Sequence, residues 1–268
     1  MRIRISHDTT YAYAQPARSI IQNLRLTPRS FDSQYVTRWR VEVDIDASLR
    51  LGDDSLGNVV HSLSYSRPVE RFTVSAIGEV ETWDGVGVVR GAVETLPPQM
   101  FLRDSAAATA NGALREFAAT AVAGADDTLE KLHRLMGALH KEVTFDPEAS
   151  ASRAGAGETL AMKRGGARDF AHAFIACARW LNIPARYVSG YAVGAEGLTA
   201  WTEALSPGLG WVAFDAVTDV CPSDSHVRVA IGLDALGAAP FRVAHVGGGD
   251  ESITAAVRVE QAMGQSQN

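Results

Sequence analysis

The succession that most constrains this chain runs from 164 to 215, where a Gly-rich turn, one strongly apolar helix and three short β runs follow one another directly. Arg164-Gly165-Gly166 supplies the backbone freedom of a turn, and from 168 to 181 the residues Phe170, Phe174, Cys177 and Leu181 recur on one helical stripe. Asn182-Ile183-Pro184 stops that helix, because proline has no amide hydrogen to continue the ladder. Short β runs follow at 185–193, 198–205 and 210–215, separated by Gly-rich or Pro-Gly turns. A helix feeding an antiparallel sheet is an α+β core.

The rest of the chain is arranged around that core. Ile3 and Ile5 alternate with polar residues, 38–46 alternates around Trp39, Val41, Val43 and Ile45, and 72–83 continues similarly. Turn signals at 53–58, at Trp83-Asp84-Gly85 and at Pro97-Pro98 punctuate these runs. Three or more antiparallel strands in a sandwich-like domain are expected. From about 110 the texture becomes helical, with Ala-rich residues 112–123 and then Leu129, Leu132, Leu135, Met136 and Leu139 on one face of 127–140. The expected organisation is an N-terminal β domain over 1–100, a helix-on-sheet core over 110–235, and a C-terminal segment over 236–268. That last segment holds one strand, Ser252 to Gln261, and a polar tail from Gly264 to Asn268.

Composition excludes several function classes. The 268 residues are 46% apolar, enough for a substantial core, and the net charge is −6 with Lys and Arg scattered, so the basic patch required by nucleic acid is missing. The strand-like start, Met1-Arg-Ile-Arg-Ile-Ser-His-Asp, does not read as a signal peptide, and no stretch reaches the roughly 20 apolar residues of a membrane helix. Two cysteines, Cys177 and Cys221, make no disulfide framework. A cytoplasmic location is expected. His133, His140 and Cys221 do not form a recognisable metal-binding spacing, and no Gly-rich phosphate loop is present, so neither metal nor cofactor is expected.

The order of elements is also the frame of a thiol-dependent acyl-transfer site. Such sites favour a thiolate at a helix N-terminus, where unpaired amides and the helix dipole lower its pKa, with an imidazole to move the proton and a carboxylate to orient the imidazole. Here Ala167 enters the helix, Thr199 opens Thr-Ala-Trp-Thr-Glu203, and Asp215 closes Gly-Trp-Val-Ala-Phe-Asp. At these residues the chain resembles the bacterial transglutaminase-like family. That family's pattern is Arg-Gly-x-Cys-x-Asp-[Phe/His]-Ala-His, Ile-Pro-Ala-Arg-Tyr-Val-Ser-Gly-Tyr, His-Ala-Trp-x-Glu and Gly-Trp-x-x-Phe-Asp-Pro. Arg164, Gly165, Asp169 to His172, all of Ile183 to Tyr191, Ala200, Trp201, Glu203, Gly210, Trp211, Phe214 and Asp215 match it.

The resemblance implies a papain-like core preceded by a β domain, and amide substrates handled by a Cys-His-Asp triad. It also implies replacements: Ala167 stands at the family's cysteine, Thr199 at its histidine, Arg168 at a neighbour that is usually Gln, and Ala216 at the proline after the aspartate. Only Asp215 of the implied triad remains. Threonine is no general base near neutral pH, and loss of a triad nucleophile or base costs about 10⁶ in turnover.

Other residues are weighed for chemistry. Cys177 falls on the apolar stripe and reads as core, whereas Cys221 lies in a loop after Asp215. His172 lies about 140° around the helix from Ala167 and reads as structural. Asp169 is explained by capping, although Asp169 with Glu203 could form a carboxylate pair. Arg168 beside the vacated position could bind a carboxylate, and Trp201 and Glu203 are further cleft candidates. The leading expectation is a pseudoenzyme, not an enzyme, that binds a peptide-like ligand or a catalytically complete relative. Its alternative is a cysteine peptidase, amidase or transglutaminase-type acyl transferase with altered catalytic residues, using Cys221 or a carboxylate. A purely structural oligomer component is the third reading.

Overall fold

The computed structural model describes residues 1–148 and 155–262. The expected tail from Gly264 to Asn268, and part of the polar loop between Asp146 and Gly157, lie outside the described residues.

The first strand, β1 (Arg2–Leu24), organises the N-terminal half. Ile3, Ile5, His7, Thr9, Tyr11 and Tyr13 are buried in strict alternation, as the period of a strand requires. The run Ala14-Gln15-Pro16 is exposed and breaks the ladder, and beyond it Ala17 is buried before a register shift, after which Ile20, Gln22 and Leu24 are the buried residues. The buried parity therefore passes from odd to even positions. Its two stretches have different neighbours. β5 (Val69–Thr82) and β14 (Glu251–Gln261) flank the first, while β4 (Val59–Tyr65) and β13 (Phe241–Gly247) flank the second. β2 (Gln34–Val43) pairs outside β5 and β3 (Leu49–Asp53) outside β4, giving a seven-stranded antiparallel sheet. Tyr11, Ile20, Leu24, Leu63, Phe72 and Val74 form its own apolar cluster.

The antiparallel sheet expected in the N-terminal region is present, with two differences of detail. β2 begins at Gln34, four residues before the expected run, because its partner β5 extends to Thr82 and supplies ladder bonds that far. The C-terminal segment contributes two strands where one was expected. β13 is exposed or half-exposed throughout and so lacks a buried face to mark it in sequence.

The second half is built on α4 (Ala167–Trp180), in which every residue from Asp169 to Arg179 is buried. Around it lie α1 (Gly112–Ala121), α2 (Thr128–Glu142) and α3 (Ala156–Met162), with a short parallel pair, β7 (Thr144–Phe145) and β8 (Arg164–Gly165), ahead of its first turn. Asn111 Oδ1 accepts the Leu114 amide at 2.9 Å and Asp127 Oδ2 accepts that of Glu130 at 3.1 Å, so both N-termini have side-chain caps. α2 buries Leu132, Leu135, Met136 and Leu139, the stripe read from the sequence. Under α4 runs a five-stranded antiparallel sheet in the order β12 (His226–Gly232), β9 (Ala185–Ala192), β10 (Thr199–Ser206), β11 (Gly210–Phe214), β6 (Val88–Val89). Ala200 and Ala204 pack in the cluster of α4, and Thr202 Oγ1 donates to Ala171 O at 3.3 Å. The opposite face carries Trp201, Trp211 and Val188, covered by Phe101. Gly190 lies beneath the Trp201 ring, where any Cβ would collide.

The two halves share one interior. Ile3, Ile5, Val80 and Val259 belong to the same apolar cluster as α4. The free edge of β12 is closed by two carboxamides. Gln34 bonds both the amide (2.8 Å) and the carbonyl (2.9 Å) of Arg228, and Asn58 does the same at Ile231 (2.8 Å each). Each side chain imitates a neighbouring strand at one residue, satisfying an edge that would otherwise be open to pairing. Among the described residues no helix is long and apolar enough to cross a membrane.

Candidate functional site

The residues implied by the family pattern occupy three element ends. Ala167 is the first residue of α4, half-buried behind the extended Gly166. Gly166 N–H donates to Asp169 Oδ2 at 3.0 Å, and Arg168 Nε lies 3.5 Å from Asp169 Oδ1, so the Asp169 carboxylate, 2% exposed, is engaged by the helix start itself. Thr199 is the first residue of β10, opposite Gly190 of β9. Asp215 follows β11. Its Oδ1 accepts the Val217 amide at 2.9 Å and its Oδ2 the Thr218 hydroxyl at 2.8 Å, while its backbone pairs with Val220. Both oxygens therefore shape the loop that leads to Cys221.

Glu203 and Asp169 do not form a carboxylate pair. Glu203 shares the sheet face of Trp201, away from α4, and accepts from Arg228 Nε at 2.6 Å and Arg186 Nε at 2.7 Å. Burial alone would raise its pKa, but the two guanidinium groups hold it below the usual carboxylate range. Arg186, fully buried, forks onto Glu94 at 2.7 and 2.9 Å and stacks 3.9 Å from the Trp211 ring centroid. Trp201, Glu203 and Arg228 line a cavity of only about 40 Å³ at the joint with the N-terminal half. His172 accepts the Ala235 amide at Nε2 (3.0 Å), and burial lowers its pKa to about 4. Cys177 is enclosed beside the Leu114 carbonyl and its thiol is pushed up to about 12 by burial.

A second thiol has a different setting. Cys221 Sγ lies 3.6 Å from His133 Nε2, a contact between the loop after β11 and the exposed face of α2. His133 Nδ1 stands 2.9 Å from Leu129 O, which can only accept, so Nδ1 carries a proton and Nε2 is the nitrogen that faces the sulfur. The ring meets Phe214 edge-on at 5.3 Å, and Phe214 stacks on Phe174 of α4. Burial, then Asp219, raises the Cys221 pKa, so the resting sulfur is a thiol facing the imidazole. Gly87 completes the contact. Its φ is +75°, and a Cβ there would approach Cys221 Cβ to 2.8 Å.

Cys221 and His133 line a cavity of about 580 Å³ together with Trp83, Val86, Leu129 and Leu209. That volume is in the range of small-ligand sites. His133 was not anticipated as a partner of Cys221, from which it is 88 residues distant. One sequence signal existed. His133 and His140 stand two helical turns apart on one face of α2, and His140 Nδ1 also reaches this loop, at Val217 O, 2.9 Å away. Among the described residues no group of three or more His, Cys, Asp or Glu side chains could hold a metal ion.

Comparison with known proteins agrees with this architecture. The Transglutaminase-like superfamily matches residues 115–216, and the Bacterial transglutaminase-like N-terminal region matches residues 3–81. "Uncharacterized protein ML0607" of Mycobacterium leprae is 28% identical over 96% of this chain and 98% of its own, and "Uncharacterized protein Rv2569c" of Mycobacterium tuberculosis is 23% identical over 90% and 86%. The crystal structure of a "Putative Cysteine Protease" from Cytophaga hutchinsonii superposes with a TM-score of 0.79 at 24% identity, covering 97% of this chain and 90% of that one.

These findings correct the expectation that the chain is not an enzyme. The fold, β domain included, is shared with that "Putative Cysteine Protease", and the superfamily match spans the segment from Ala167 through Thr199 to Asp215. The chain has an α+β fold of transglutaminase-like architecture, with a core similar to the Transglutaminase-like superfamily behind a region similar to the Bacterial transglutaminase-like N-terminal region.

Proposed function

We propose that the protein is an amide-directed enzyme with altered catalytic residues, a cysteine peptidase, amidase or acyl transferase in which Cys221 is the nucleophile and His133 the base. The observation that carries this reading is the 3.6 Å contact from Sγ to an imidazole whose other nitrogen is fixed by Leu129, at the wall of a cavity of about 580 Å³. On this reading Ala167 and Thr199 stand at the family's cysteine and histidine positions and take no part in bond making. Asp215 is a positioning residue that shapes the Cys221 loop through Val217, Thr218 and Val220.

The chemistry follows from a thiol that rests beside an imidazole nitrogen. Sγ attacks the carbonyl carbon of a peptide-like amide as its proton passes to Nε2. Collapse of the tetrahedral adduct breaks the C–N bond, and the amine departs with that proton, leaving a thioester on Cys221. Water or a second amine then attacks the thioester, gives a proton to Nε2, and is acylated as Sγ leaves and recovers the proton. The products are an acid or a new amide. A reducing cytoplasm would keep the half-buried Cys221 thiol in its active state.

The test is hydrolysis of a mixed library of internally quenched peptides, alongside incorporation of a fluorescent primary amine into a peptide amide. Turnover that falls on the order of 10³-fold or more in both Cys221→Ala and His133→Gln supports the assignment. Turnover that persists in Cys221→Ala rejects it.

A further inference from the structure

We infer that the turn from Trp83 to Gly87 is the specificity element of the Cys221 site and selects a substrate whose residue beside the reacting carbonyl is apolar; this rests on the acyl-transfer reading of Cys221 and His133. Val86 has φ +53°. A β-branched residue in the left-handed region is a conformational outlier, kept only where its surroundings over-determine it, and such residues cluster at ligand-binding places. The surroundings here do so. Val86 N–H donates to Asp84 Oδ1 at 2.8 Å, Val88 N–H to Gly85 O at 2.9 Å, and Trp83 N–H to Ser33 O at 3.0 Å. Gly87 then seats the turn against Cys221.

The result of this strain is an outward display. Val86 is 77% exposed and Trp83 51% exposed, two large apolar side chains in one turn, both lining the cavity that holds the thiol. Leu209, 37% exposed, lines it as well. Apolar surface held open at a cavity mouth is covered favourably by an apolar group of a ligand. The carboxylates of Asp32 and Asp84 also line the cavity against the single guanidinium of Arg90, which disfavours an acidic side chain there. An apolar side chain within reach of Sγ therefore fits the lining, and an aspartate or glutamate does not.

The experiment reads the turn without requiring turnover. Cys221 is alkylated with N-benzylchloroacetamide and with chloroacetamide, the thiol displacing chloride to form a thioether, and labelling is followed by peptide mass mapping with rates normalised to glutathione. We expect a benzyl preference of about tenfold or more in the parent protein and near parity in the Trp83→Ala, Val86→Gly double variant. Glycine relieves the left-handed conformation, so folding of the variant is checked by an unchanged thermal midpoint, and Trp83→Ala alone serves if the double variant is destabilised. In parallel, coumarinyl amides of acetyl-leucine and acetyl-phenylalanine should be cleaved about tenfold faster than that of acetyl-aspartate. A benzyl preference that is absent in the parent, or unchanged in the variants, overturns the inference. Loss of the preference on mutation without cleavage of any amide upholds the turn as the apolar selector and rejects the acyl-transfer reading alone.

Discussion

The start of α4 and the loop after β11 are two solutions to the placement of polar groups, and their contrast is instructive. At the start of α4 everything is tied inward: Asp169 accepts the Gly166 amide and lies beside Arg168, and His172 is buried and kept neutral. At the loop a thiol and an imidazole from distant segments meet beside a cavity of about 580 Å³. One region has the backbone frame associated with thiol chemistry, and the other has the thiol. A helix N-terminus lowers the pKa of whatever thiol is set there, but it does nothing for a methyl group.

The largest effect that could break this comparison is catalytic. Cys221→Ala is expected to abolish turnover, on the order of 10³-fold or more, while Ala167→Gly changes it less than about threefold, as measured by kcat/KM on the best peptide amide. Equal losses in the two variants would move the chemistry back to α4.

Next in size is the buried ionic lattice on the far face of the sheet. Glu203→Ala leaves Arg186 without one partner and Arg228 without its carboxylate, both at the interior, and is expected to cost about 3 to 5 kcal/mol in a urea titration. A cost under about 1 kcal/mol would mean that water replaces the carboxylate and that this face is more open than Trp201 and Trp211 make it.

Acid should act mainly through buried imidazoles. His7, bonded to the Tyr191 hydroxyl at 2.9 Å across the two halves, and His172 both have pKa values lowered to about 4 by burial. A lowered folded pKa means that the unfolded chain takes up protons first, so stability is complete above about pH 6.5 and falls as pH drops towards 4. The expected loss is roughly 1 to 3 kcal/mol per histidine, read as a falling thermal midpoint between pH 7 and pH 4.5, and His7→Phe should remove part of the slope. An unchanged slope in His7→Phe would assign the acid sensitivity elsewhere.

The smallest effect concerns the closed edge of β12. Gln34→Ala and Asn58→Ala each strip both partners from one backbone residue, at a cost of about 1 to 3 kcal/mol, and faster hydrogen exchange at Arg228 and Ile231 would locate the loss.

Much of this architecture is legible in the residues because it depends on periodicity. The Leu132 stripe and the alternation of Ile3 and Ile5 state which faces are buried before any partner is known, whereas the Phe170 stripe marks a helix that is buried on every side. The motif from Ile183 to Tyr191 carries the fold with similar force, since Gly190 has to lie under Trp201 and Arg186 has to meet Glu203. What remained hidden is contact between elements remote in sequence. Nothing local states that His133 of α2 faces Cys221, or that β13, with no buried face, pairs with the second stretch of β1.

The sequence by itself therefore determined the helix that is buried and the strands that follow it, because hydrophobic period and turn chemistry are properties of neighbours along the chain. Tertiary structure alone decided that Glu203 turns away from Asp169, that two carboxamides seal β12, and that the half-buried Cys221 thiol meets an imidazole at a cavity wall. Those outcomes rest on which surfaces close over one another, and a pattern along one segment carries no information about the partner that will cover it.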